Sequence, residues 1–235
     1  MADYDLYYWP VPFRGQFIRA ILAFVGKSWT EHDGEAIAEL MEEDLSRQPI
    51  PFTGPPVLIE ARTGLALAEM PAIALYLGET LGLIPDKAAM RARTMKVVND
   101  ANDVIDELTL DGGREMWTKR KWDAFVPRLE HWMMIWEETG KRGGLTRDAG
   151  FLLGTPDVGV ADIVTGILWS TMADRFSAIA DLFMSAAPNT AALAARMQAL
   201  PSLAALNEKS RRDYGDAYCG GRIEKSLLAV AGKAA

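Results

Sequence analysis

The order of elements around one doubled proline constrains this chain more than any other feature. Gly54-Pro-Pro-Val-Leu-Ile-Glu60 sets a Pro-Pro step before a short apolar run, and Ala68-Glu-Met-Pro-Ala-Ile-Ala-Leu-Tyr-Leu77 follows with an acidic residue at the mouth of a helix. A prolyl bond that precedes a short strand is a candidate for the cis isomer, which leaves the adjacent backbone polar groups facing outward instead of into a ladder. The Pro55-Pro56 bond is therefore expected to be cis. Free N–H groups at the helix start attract a carboxylate, while the side chain of Glu69 can hold an ammonium group. An α-amino acid carries both charges, so the pattern predicts a site for an amino-acid-like ligand.

Around that site the chain reads as two parts. Residues 5–9 are a β-prone aromatic run, Pro10-Val-Pro-Phe-Arg-Gly15 is a rigid loop, and helical spacing follows over 16–25. A second strand is expected at 29–32, a short helix at 37–45, and two strands at 57–60 and 65–68 joined by Arg62-Thr-Gly64. The helix opening at Met70 is expected to stop near Gly82, with Pro85-Asp86-Lys87 as a linker. Beyond it the spacing is helical over 87–110, 115–139, 160–176, 190–200 and 202–214, and 229–235 reads as a frayed tail. The helix at Val160 has Gly159 as its N-cap, Asp162 as the acid reaching back, and Val158 with Ile163 as a hydrophobic staple. The pattern predicts a small α/β domain over residues 1–83 followed by an all-helical one over 87–235.

Composition narrows the function classes. With 235 residues and 49% hydrophobic side chains, the chain can bury a substantial core. A net charge of -7 argues against a general nucleic-acid or anionic-membrane surface, because counterion release needs clustered Lys and Arg. No apolar run reaches the roughly eighteen residues of a membrane span. The opening carries Asp3 and Asp5 instead of a basic, then apolar, signal segment, so a cytoplasmic location is expected. Cys219 is the only cysteine, which excludes an intrachain disulfide and a multi-cysteine metal site; His32 and His131 stand apart from any second ligand, so no metal is expected. Small molecules are the expected partners.

Four segments together resemble a known family. Pro55-Pro56-Val57-Leu58, Glu69-Met70-Pro71-Ala72-Ile73-Ala74-Leu75-Tyr76-Leu77, Gly154-Thr-Pro-Asp-Val-Gly-Val-Ala-Asp162 and Arg196-Met-Gln-Ala-Leu-Pro-Ser202 follow the order of motifs in the cytosolic glutathione transferases. The resemblance covers most of the chain. It implies a thioredoxin-like N-terminal domain that binds glutathione, a helical C-terminal domain that forms the electrophile pocket, glutathione as co-substrate, and a homodimer. It further aligns Tyr8-Trp9 with the Tyr-Phe/Trp step of tyrosine-type transferases, in which a phenol hydroxyl donates to the glutathione sulfur and stabilises the nucleophilic thiolate. Tyr8 is the catalytic candidate this implies, with glutathione contacts from Trp9, Arg14, Arg47, Pro55, Pro56, Glu69, Met70 and Asp103. No Cys-x-x-Cys is present.

Three positions depart from the family. The loop between Trp9 and Arg14-Gly15 is longer than usual, which leaves the register at Tyr8 open by one or two. Adjacent strand residues face opposite sides, so only one of Tyr7 and Tyr8 can point into the site; read without the resemblance, both are strand aromatics packing on helices. The residue before the cis-proline, which pairs the cysteinyl backbone of glutathione through both N–H and C=O in the family, is Pro55, which has no N–H. The serine after the acidic residue is replaced by Met70. Loss of that charged hydrogen bond removes about 1.5 to 3 kcal/mol, and Met70→Ser is expected to strengthen glutathione binding.

Other candidates keep two readings. Arg47 stands where the family has a residue for the glycine carboxylate, yet lies in a polar stretch of surface character. Asp103 stands where some classes send an acidic residue across the dimer to the ligand's ammonium, while Asn99-Asp-Ala-Asn-Asp-Val-Ile-Asp106 also reads as an acidic helix face. Trp117, Trp122, Trp132 and Trp136 at helical spacing read as core and interface. The expected function is conjugation of glutathione to an apolar electrophile. The alternatives are a non-catalytic binding protein for an apolar ligand on the same fold, or a glutathione-dependent isomerase or ether-cleaving enzyme.

Overall fold

The computed structural model describes residues 2–234. The first elements are β1 (Tyr4–Tyr7), α1 (Phe13–Phe24), β2 (Trp29–His32), α2 (Gly34–Glu42), β3 (Val57–Glu60), β4 (Ala66–Ala68) and α3 (Met70–Thr80). The strands form one sheet in the order β2-β1-β3-β4, with β1 parallel to β2 and antiparallel to β3, and β3 antiparallel to β4. A parallel neighbour requires a crossover helix, which α1 supplies. Alternation on β1 turns Tyr4 and Leu6 inward, and Tyr8 continues that face beyond the strand end. On α1, Phe17, Ile18, Ile21 and Leu22 form a fully buried stripe at helical spacing, each side chain contributing about 1.5 to 3 kcal/mol of apolar transfer.

The second part is helical: α4 (Ala88–Leu108), α5 (Leu110–Gly113), α6 (Lys119–Arg142), α7 (Val160–Ala173), α8 (Ser177–Ala186), α9 (Pro188–Gln198), α10 (Pro201–Tyr214) and α11 (Gly221–Ala231). α7 is apolar and buried almost all round, as expected for a helix at the centre of a bundle, and it packs on α1, α4, α8 and α9. Its entry follows the sequence expectation. Asp162 Oδ2 accepts the Gly159 N–H at 2.9 Å, and Oδ1 accepts the Leu152 N–H at 2.7 Å. The two parts approach closely at Gly78, where an added Cβ would fall 2.7 Å from both Ile84 and Val160. Together they form a thioredoxin-like domain followed by a helical domain.

Several expectations need correction. α1 begins at Phe13, three residues early, because Pro12 takes helical φ/ψ at the N-cap instead of ending the loop. α6 begins at Lys119, where Thr118 Oγ1 accepts the Lys121 N–H at 3.3 Å. α8 and α11 were not expected at all. Residues 229–234 of the expected frayed tail instead end α11 and run back along the bundle, with an isolated bridge from Lys233 to Phe176 and the Ala234 N–H donating to the Arg175 carbonyl at 3.2 Å, while 235 lies outside the described residues. Between α4 and α6 the residues Leu110, Asp111, Gly112 and Gly113 all have positive φ (40° to 81°), so α5 is a left-handed turn and not a helical segment in the packing sense. Trp117, Trp122 and Trp136 are buried, with Trp117 edge-on to Trp122 at 5.6 Å.

Candidate functional site

The sheet register gathers the site. Tyr7 is paired with Val57, and Val57 with Ala68, so the residues just beyond these partners, Tyr8, Pro56 and Glu69, stand in a row at one end of the sheet. The Pro55-Pro56 bond is cis, as expected. Glu69 takes φ 72° and ψ 122°, a left-handed conformation that a non-glycine residue adopts at a cost of about 1 to 3 kcal/mol and that collects at functional sites. Its side chain is exposed and accepts from Thr53 Oγ1 at 3.1 Å. Beyond it, Met70 and Pro71 open α3. The Met70 side chain is fully buried in the core, so this helix start can meet a ligand only through backbone.

Tyr8 is the centre of the arrangement. Only 3% exposed, its ring lies against Gly15, where a Cβ would stand 2.4 Å from Tyr8 Cδ1, and below the Arg19 guanidinium at 5.6 Å. Its hydroxyl accepts the Arg14 N–H at 3.0 Å, one of the donors that the first turn of α1 leaves without an intrahelical partner. Burial pushes the phenol up to about 12, against the pull of Arg14 and Arg19. At neutral pH the group therefore keeps its proton, and with a lone pair committed to Arg14 the hydroxyl retains one hydrogen to donate. Tyr7 points to the opposite face, where its ring stacks on His32 at 4.0 Å, and His32 Nε2 meets Asp5 Oδ1 at 3.0 Å.

Arg14 joins the two domains. Its Nε donates to Asn102 Oδ1 at 3.1 Å and its Nη2 to Asp106 Oδ1 at 3.0 Å, both on α4. Trp9 is exposed and reaches toward Gly34 at the start of α2. Arg47 is exposed and forms an i,i+4 pair with Glu43 at 2.6 Å. Asp103 is exposed on α4 and lines a cavity of about 500 Å³ between α4 and α6, with Asp106, Arg128 and Trp132 among its neighbours. The structure thus brings Tyr8, Arg14, Pro55, Pro56, Glu69 and the Met70 backbone to one end of the sheet. Arg47 and Asp103 lie on the surfaces just described.

Sequence reasoning missed four contributors. Gly15 makes room for the Tyr8 ring. Arg19 is buried, is ion-paired with Glu31, and donates through Nη1 to the Val11 carbonyl at 3.0 Å, which fixes the loop that leads from Tyr8 into α1. Asn102 and Asp106 receive Arg14. Only Gly15 had a local signal, as the residue following Arg14 at the helix start. Among the described residues, no group of His, Cys, Asp and Glu could hold a metal, and no helix is long and apolar enough to cross a membrane.

A thioredoxin-like domain with a cis-prolyl loop and a tyrosine at the end of its first strand, joined to an all-helical domain, is the class of protein that this fold and site define. The family described as "Glutathione S-transferase, C-terminal domain" matches residues 93–230. The chain belongs to the glutathione S-transferase family. Similar solved structures include NaGST-2, 24% identical with a TM-score of 0.70, covering 88% of this chain and 97% of that one. A major nematode-specific GST of C.elegans is 22% identical over the same shares, also with a TM-score of 0.70. Monomeric Na-GST-3, a glutathione S-transferase of the human hookworm parasite Necator americanus, is 20% identical with a TM-score of 0.70, covering 88% of this chain and 96% of that one. No curated protein sequence matches the chain.

Proposed function

We propose that this protein is a glutathione transferase of the tyrosine type that conjugates glutathione to an apolar electrophile. The observation that carries the reading is the Tyr8 hydroxyl, buried, protonated at neutral pH, and accepting the Arg14 N–H at 3.0 Å at the mouth of α1. A phenol held this way donates to the glutathione sulfur and lowers the thiol pKa; the thiol proton leaves to solvent, and the thiolate forms a bond to the electrophilic carbon as the leaving group departs. Glu69 holds the γ-glutamyl ammonium, the Met70 N–H meets the adjacent carboxylate, and the Pro55 carbonyl accepts the cysteinyl N–H. Trp9 and Arg14 border the sulfur, Arg47 serves the glycine carboxylate, and Asp103 serves a partner protomer's ligand in a cytoplasmic homodimer. The electrophile lies against the helical domain.

One observation favours a second reading. Pro55 has no N–H and the residue after Glu69 turns its side chain into the core, so two of the usual donors to glutathione are absent here. A transferase-fold protein that binds an apolar ligand without conjugating it fits that loss. Calorimetric titration with glutathione separates the two. Millimolar or tighter binding, weakened at least about tenfold in Glu69→Ala, supports the enzyme. No binding by the unmodified protein supports the carrier.

A further inference from the structure

The loop of residues 215–220 lies against the segment that leads from Tyr8 into α1, and one buried carboxylate holds it there. Glu224, 5% exposed in the first turn of α11, accepts through Oε2 from the backbone N–H groups of Tyr218, Cys219 and Gly220 at 3.0, 3.0 and 2.6 Å. Its Oε1 accepts from Arg175 Nε and Nη2 at 3.1 and 2.9 Å. Three successive amides of one loop thus depend on one side chain, which Arg175 neutralises and orients.

The loop passes that constraint on. The Tyr218 carbonyl accepts the N–H of Phe13 at 3.2 Å, and the two rings meet edge-on at 5.4 Å. Phe13 is the first residue of α1, with φ at 23°, a value such a side chain holds only where its surroundings fix it. The next N–H along the chain is that of Arg14, the donor to the Tyr8 hydroxyl.

We propose that Glu224 is a positioning residue for the Tyr8 site: by fixing residues 218–220 it fixes the start of α1, and with it the Arg14 N–H that the Tyr8 hydroxyl accepts. The chemical consequence rests on the reading of Tyr8 as the thiolate donor, whereas the mechanical link does not.

Two measurements on the full chain test this, with Glu224→Ala and with Glu224→Gln, which keeps the volume and one acceptor oxygen. Amide hydrogen exchange should accelerate by about tenfold or more in Glu224→Ala both at 215–221 and at 12–16, and less in the same two segments in Glu224→Gln. Acceleration confined to 215–221 overturns the proposal. If Glu224→Ala does not fold, Glu224→Gln is judged by the same criterion. The thiol pKa of bound glutathione should rise in step, and be partly restored by glutamine. If the unmodified protein does not lower that pKa, the transferase reading fails while the exchange pattern still decides the link. If it does, and the variants leave it unmoved, the role of Glu224 at Tyr8 is refuted.

Discussion

Tyr8→Phe removes one oxygen from a site whose geometry sets the expected cost. The hydroxyl accepts the Arg14 N–H at 3.0 Å in a buried position, so the variant leaves a backbone donor without a partner, a loss of about 1 to 3 kcal/mol at pH 7. A second effect appears at alkaline pH. The ordinary tyrosine value of 10.0 is raised to about 12 in the folded protein, so the native state holds a proton that the unfolded chain releases. That contribution, of order 3 kcal/mol, is fully present below pH 10 and is lost as pH rises through 12. Urea unfolding of both proteins at pH 7, 10 and 11.5 should therefore show a gap at neutrality that narrows across the window. Because the other tyrosines titrate in both proteins, the difference isolates Tyr8. No gap at pH 7, or one that widens with pH, refutes the buried acceptor. In the same variant the thiol pKa of bound glutathione should rise and the conjugation rate should fall about tenfold to a hundredfold. Tyr7→Phe, altered on the opposite face, should leave the rate unchanged. If that control fails instead, Tyr7 is the reacting tyrosine.

Gly15→Ala places a methyl group 2.4 Å from Tyr8 Cδ1 and 2.8 Å from Cγ; it should destabilise by about 1 to 3 kcal/mol in thermal or urea melts and raise the bound thiol pKa, and wild-type values in both would show that the ring can move aside. Met70→Ser opens a cavity in the core and buries a hydroxyl, so the urea midpoint should fall by the equivalent of about 2 to 5 kcal/mol without a gain in glutathione affinity; tighter glutathione at unchanged stability would restore the expectation first drawn from the sequence. The Cys219 thiol is pushed up to about 12 by burial and by Glu224 beside it, so thiol reagents should label the native protein about a hundredfold more slowly than the protein in urea. Equal rates would show that the 215–220 loop opens freely.

The parts of the site legible in the sequence are those specified by backbone chemistry. A doubled proline before a strand and an acid at a helix start state their roles locally, and both stand where they were expected. What makes them one site is the pairing of Tyr7 with Val57 and of Val57 with Ala68, which is set by the sheet and written in no single segment. The direction of the Met70 side chain is hidden for the same reason: its position after Glu69 says nothing of the turn into α3, which aims it at the core. Arg47 carried no sign of its pairing with Glu43 beyond the i,i+4 spacing. The apolar positions of α8 and α11, Ile179 and Phe183, Ile223 and Leu227, are short repeats that become meaningful only against the bundle. Glu224 reads as a surface acid until Arg175, far away in the chain, is brought beside it.

Arg14 has its backbone in one domain and its guanidinium on a helix of the other, and this limits how the molecule can be recombined. Its N–H donates to the Tyr8 hydroxyl while its side chain anchors α4, and α1 itself packs on α3 of its own domain and on α7 and α10 of its neighbour. A hybrid that joins this first domain to a related helical domain inherits an unanchored Arg14 unless the acceptors corresponding to Asn102 and Asp106 travel with it. The unit of exchange in this protein is therefore the docked pair of domains, and the setting of Tyr8 is a property of their contact.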